Sequence, residues 1–201
     1  MPTKPRRASW YPGFDVTQEQ HEWDLHTRHV VMGRLQYRRT FNWLTEDEVA
    51  VVQVIAEILV ADDREPILRF MVHHLDGQMT SDIGESQREL GVPTGQQLVR
   101  AALLNLNRAA KAKLQRHFLS LQPTEREALL QQMERGAIDW LPDWVAKQQQ
   151  AAFSKLATTL VKAYYAHPTV WSEIGYAGPA YPRGYLRSEF GLTDPWEARR
   201  P

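Results

Sequence analysis

The chain has 201 residues, with 24 basic side chains balanced by 24 acidic ones, 43% hydrophobic content and no cysteine. That length buries a core within a single domain. Neutrality removes the electrostatic reason to expect nucleic acid or an anionic membrane as a partner, and the missing cysteines exclude disulfides, thiolate catalysis and thiolate metal sites.

No apolar run approaches the roughly 18 residues that a spanning helix needs, so direct membrane insertion is not expected. The first residues carry Arg6-Arg7, as a twin-arginine signal would, but no apolar stretch follows. The segment reads as an arm, and the corresponding expectation is a cytoplasmic protein, with a periplasmic or membrane-associated one as the alternative if it is exported together with a partner.

A first helix is expected from Thr17, with Gln20 completing a capping-box pattern, toward Arg39. It is strongly polar and suited to lie across other helices or along a partner. The second helix is the clearest. Thr45-Glu-Asp-Glu48 caps it and leads into an apolar run through Val60, which reads as the buried axis of the domain. Pro66 opens a third helix with Ile67, Phe70, Met71 and His74 or Leu75 on one face.

Residues 77–94 read as a loop with a short helix. Thr94 then starts a long helix to about Leu121, Thr124-Glu-Arg-Glu127 caps a short one ended by Gly136, and a last long helix carries Phe153, Leu156, Leu160 and Tyr164. With no alternating strand, the fold class is all-α: an irregular helical bundle with an extended N-terminal arm and an aromatic, Pro/Gly-rich C-terminal loop. The divisions are an arm and polar helix over 1–40, a bundle over 41–168, and the aromatic loop and tail over 169–201.

That loop holds most of the information. Residues 164–185 contain five of the seven tyrosines, Trp171, three prolines and three glycines, so a continuous helix or a central strand is ruled out. This many rings need a surface to cover them, either the chain's own core or another protein. Arg183 lies between Tyr181 and Tyr185, where it serves either as a binding hot spot or as an internal clasp onto the chain's own acids.

Enzymatic signals are weak. There is no Gly-x-Gly, no Gly-x-Ser-x-Gly and no Walker-type loop, so no nucleotide fold or serine hydrolase is indicated. Glu22, His26 and His29 fall at i, i+4 and i+7, the spacing of a facial metal site on a continuous helix. Solvated residues of a polar helix are the plainer explanation. His167, before a proline at a helix end, is read as a C-cap.

The stretch His-Pro-x-x-Trp-x-Glu-Ile-Gly-Tyr-x-Gly-Pro-Ala-Tyr-Pro-Arg-Gly-Tyr, residues 167–185, resembles the C-terminal signature of the gluconate 2-dehydrogenase subunit 3 family. Leu-Thr-Glu-Asp-Glu from Leu44 and Leu-x-Pro-Thr-Glu-Arg-Glu-Ala-Leu-Leu from Leu121 are similar to two further landmarks of that family. The arm around Trp23-Asp-Leu-His-Thr-Arg resembles that of relatives without a signal.

The resemblance implies a non-catalytic accessory subunit of a flavin-dependent sugar or polyol dehydrogenase. In such complexes a large subunit of the glucose-methanol-choline type holds the FAD, and a cytochrome c subunit often takes the electrons. No cofactor is then expected in this chain. The expected partner interface is Trp23, His26, Trp171, Tyr176, Tyr181, Arg183 and Tyr185. The alternatives are a small metal-dependent helical enzyme using Glu22, His26 and His29, and a self-contained helical protein whose loop caps its own core.

Overall fold

The computed structural model describes residues 9–36, 40–81, 92–184, 186 and 193–199. Among them there is no strand, and the fold class is all-α as expected. The chain divides into two compact units. One joins residues 1–37 to 164–201, and the other is the bundle of residues 38–163.

In the bundle, α2 (Glu46–Val60) starts as the sequence indicates: the Thr45 hydroxyl accepts from the Glu48 N–H, and the Glu48 carboxylate accepts from the Thr45 N–H. No residue from Glu48 to Val60 is exposed, with Val51, Val52, Ile55 and Ala56 fully buried. It packs against α3 (Glu65–Thr80), which buries Ile67, Leu68, Met71, Val72, Leu75 and Met79. Helix α3 runs through Gly77 rather than ending there, and the remainder of the expected 77–94 loop lies largely outside the described residues.

Asp76 is the polar pin of this pair. Only 3% exposed, its carboxylate accepts the N–H groups of Asn42, Trp43 and Leu44 at 2.8–2.9 Å, fixing the strap that leads into the α2 cap. Arg100 of α4 (Gly95–Leu114) holds the same strap from outside: it donates to Trp43 O, pairs with Glu48 and lies over the Trp43 ring at 3.7 Å.

Helix α4 ends at Leu114 instead of continuing to Leu121. Gln115 takes a left-handed conformation, and the Asn107 side chain accepts the Phe118 N–H, so the chain turns and buries Phe118 in a short 3-10 segment, Phe118–Ser120. Helix α5 (Pro123–Arg135) starts a residue before Thr124, since proline is tolerated at the first helical position. Its capping contact is therefore Gln122 N–H to Glu125, not a Thr124–Glu127 box.

Gly136 ends α5 at φ +67°, and a Cβ there would lie 2.8 Å from the Ala146 Cβ at the start of α6 (Ala146–Tyr164). The connection is held by Gln149, only 1% exposed. Its carboxamide oxygen accepts the Ile138 N–H, and its NH2 donates to Ile138 O and Trp144 O, so the side chain copies a strand partner.

The other unit departs most from expectation. The helix expected over 17–39 is two pieces, a 3-10 segment Val16–Glu22 and α1 (Leu25–Gly33), separated where Asp24 turns to accept the N–H groups of His26 and Thr27. Asp15, rather than Thr17, caps the first piece. After α6, His167 is not a C-cap. Its Nδ1 accepts the Thr169 N–H, which makes it the N-cap of a seven-residue helix, α7 (Pro168–Ile174), inside the stretch read from sequence as loop.

Candidate functional site

The aromatic segment and the N-terminal arm fold around one another. Val16, Trp23, Val31 and Trp171 form a buried cluster, flanked by Phe14 and Met32. Backbone and side-chain bonds stitch the two ends together: Trp10 N–H to Glu173 O at 3.3 Å, and Val16 N–H to the Ser172 hydroxyl at 3.0 Å. Two glycines make the close approach possible. Gly178, at φ +81°, lies against Trp23, where a Cβ would come within 2.6 Å of Cζ2; Gly175, at φ +77°, leaves room for the Tyr11 ring, which a Cβ would overlap.

Trp171 is fixed on every side. Its indole N–H donates to Tyr165 O at 2.5 Å, Arg34 lies over its ring at 5.2 Å while donating to Ala166 O, and Tyr176 meets it edge-on at 5.1 Å between centroids. Burial lowers the pKa of Arg34 from the ordinary arginine value, with Tyr176 opposing. The cation persists, because the guanidinium pKa starts so high.

Arg183 is the internal clasp. Its side chain is 5% exposed; Nη2 donates to Ala177 O at 2.6 Å, the group stacks on Trp196 at 4.6 Å, and Nη1 lies 3.7 Å from Glu19 Oε2. That last distance is an ion pair rather than a hydrogen bond, so Nη1 and Nε are buried without an acceptor. Burial lowers the Arg183 pKa, while Glu19, Glu22, Tyr176 and Asp194 pull it back. Asp194 in turn accepts the Leu186 N–H, tying the tail to the loop.

The expected interface set thus separates into two kinds. Trp23, 3% exposed, Trp171, 6% exposed, and Arg183 are committed inside the unit, because the two ends bury one another. His26, Tyr176 and Tyr181 face outward, Tyr181 at 70% exposure, and Tyr185 lies outside the described residues. The metal alternative loses its geometry. Glu22 ends the 3-10 segment while His26 and His29 lie on α1, so the three are not on one helical face, and no cluster of three metal-ligating side chains occurs among the described residues. Sequence reading missed Trp10, Tyr11 and Asp76. The available signals were an adjacent Trp-Tyr pair in the arm and an acid inside an apolar helix face.

Comparison with known proteins supplies the decisive observation: the family model described as gluconate 2-dehydrogenase subunit 3 matches residues 46–178. The chain belongs to this family. The match runs from the first residue of α2 through the rest of the bundle and α7 as far as Gly178, the glycine that seats Trp23. The arm that covers the subunit 3 motif, residues 9–36, lies outside the match. No curated protein and no solved structure matches the chain.

Proposed function

We propose that this protein is a non-catalytic accessory subunit that binds, stabilises and helps mature a flavin-dependent sugar or polyol dehydrogenase of the glucose-methanol-choline type. The observation that carries this reading is membership of a dehydrogenase subunit family. The FAD and the hydride chemistry reside in the partner chain, and a cytochrome c subunit is the expected electron acceptor.

Two features support a binding rather than a catalytic role. Three long polar side chains of the aromatic unit are engaged in internal fastening: Arg183 on Ala177 and Trp196, Arg34 on Ala166 and Trp171, and the Trp171 indole on Tyr165. Meanwhile Tyr176 and Tyr181 present rings to the outside, the residue type that anchors protein interfaces. The reading places Tyr176, Tyr181 and His26 in contact with the partner, and Trp23, Trp171 and Arg183 beneath them as support.

Co-expression tests it. The flavoprotein subunit is produced with and without this chain, and its soluble yield, bound flavin and dye-linked activity are measured. A large gain in all three with the chain present is expected. Equal yield, flavin content and activity without it would overturn the proposal.

A further inference from the structure

Exposed apolar side chains are distributed very unevenly. Of the eleven large hydrophobic residues exposed among the described residues, nine belong to the unit made from the two chain ends, and only Leu104 and Val145 belong to the larger bundle. Single exposed apolar residues are ordinary on any protein surface, but a concentration in the smaller unit is not. Among the described residues, the joined ends leave far more large apolar surface exposed than the bundle does.

Part of this surface is tied together by the backbone. Trp10, 75% exposed, is attached through its N–H to Glu173 O, which places it at the end of α7 with Ile174, 45% exposed, and Tyr176, 45% exposed. Tyr181, 70% exposed, follows in the next turn. The foundation is stiff, because the cluster of Val16, Trp23, Val31 and Trp171 and the glycines 175 and 178 hold the arm against the C-terminal segment. Rigid aromatic side chains on a fixed base lose little entropy on binding, which is what a docking surface requires.

We infer that the partner dehydrogenase subunit docks on this joined-ends unit, and that the arm outside the family match supplies part of the contact through Trp10. The inference rests on the accessory-subunit reading and deepens it, adding Trp10 at the end of α7 to the contact that already includes His26 of the arm. Residues 9–36 are then a binding element and not merely a cover. The occupant is the catalytic subunit because the chain belongs to a family of dehydrogenase subunits, and because the outward rings suit a largely apolar counter-surface with acceptors for tyrosine hydroxyls.

The test uses the full chain and the purified flavin-dependent subunit in a titration by calorimetry. Trp10→Ala and Tyr181→Ala alter the most exposed rings, and circular dichroism verifies that each variant keeps its helices. Each is expected to weaken binding at least tenfold, while Leu104→Asp on the bundle leaves affinity within twofold. Unchanged affinity in both aromatic variants, or a larger loss from Leu104→Asp, overturns the assigned surface while leaving the accessory role standing. A wild-type chain that does not bind the subunit overturns both. Sedimentation of this chain alone adds a further outcome: self-association abolished by Trp10→Ala would assign the surface to a second copy instead.

Discussion

Asp76 shows how much a single buried acceptor can hold. Three backbone N–H groups converge on one carboxylate that is nearly inaccessible to water, and none of the three belongs to its own helix. Hydrogen bonds to a charged group contribute more than neutral ones, and stranded donors carry a desolvation cost. Asp76→Ala is expected to destabilise the protein by about 3 kcal/mol, read from urea unfolding. Asp76→Asn retains the shape but offers one acceptor oxygen in place of two, and it is expected to recover less than half of that loss. Gly178 is a second such position. Gly178→Val meets both a positive φ and the Trp23 ring, so hydrogen exchange is expected to show lost protection at residues 16–31 and 168–176 while α2 and α3 keep theirs.

Among the elements, legibility followed the range of the interaction. The start of α2 was readable because a capping box is written within four consecutive residues, and the left-handed Gly136 ended α5 for an equally local reason. The break between Glu22 and Leu25 was not readable. Thr17 and Gln20 offer a plausible cap, whereas the actual turn depends on Asp24 and on the Trp23 ring leaving the helix face to pack on Gly178. Likewise α4 stops early because Asn107 captures a backbone N–H eleven residues on, and α7 forms because the ring of His167 turns forward to Thr169. The burial of the candidate interface residues was not legible for the same reason. The motif showed a cluster of rings, but only the arm's position showed that Trp23 and Trp171 face inward while Tyr176 and Tyr181 face outward.

The α2 cap also makes stability depend on pH. Burial works against the charge on Glu48, yet the Arg100 guanidinium together with the Thr45 N–H and hydroxyl outweighs it and holds the carboxyl below the ordinary glutamate value. A depressed carboxyl contributes stability that is complete above its unfolded pKa and is lost as the pH falls through the folded one. The urea midpoint is therefore expected to drop on acidification from about pH 6 to about pH 3, and Glu48→Gln to flatten that part of the profile.

At the scale of the whole molecule, the two compact units differ in their surfaces. Among the described residues, nine of the eleven exposed large hydrophobic side chains lie in the joined ends and two in the bundle. Partner binding is accordingly expected to raise hydrogen-exchange protection at residues 9–36 and 164–184 in the complex with the flavoprotein subunit, with much smaller changes across α2 to α5. Protection gained mainly in the bundle would be the contrary result.

The contact between Gly136 and Ala146 leaves a mark on sequence drift. Position 136 is confined by its left-handed backbone and by the neighbouring methyl, and position 146 has no room to enlarge toward it. A side chain at position 136 would therefore have to displace its neighbour, whereas Ala146 is exposed and can extend only away from the glycine. In a saturation library selected for soluble protein, position 136 should be among the emptiest columns in the bundle, although it carries no charge.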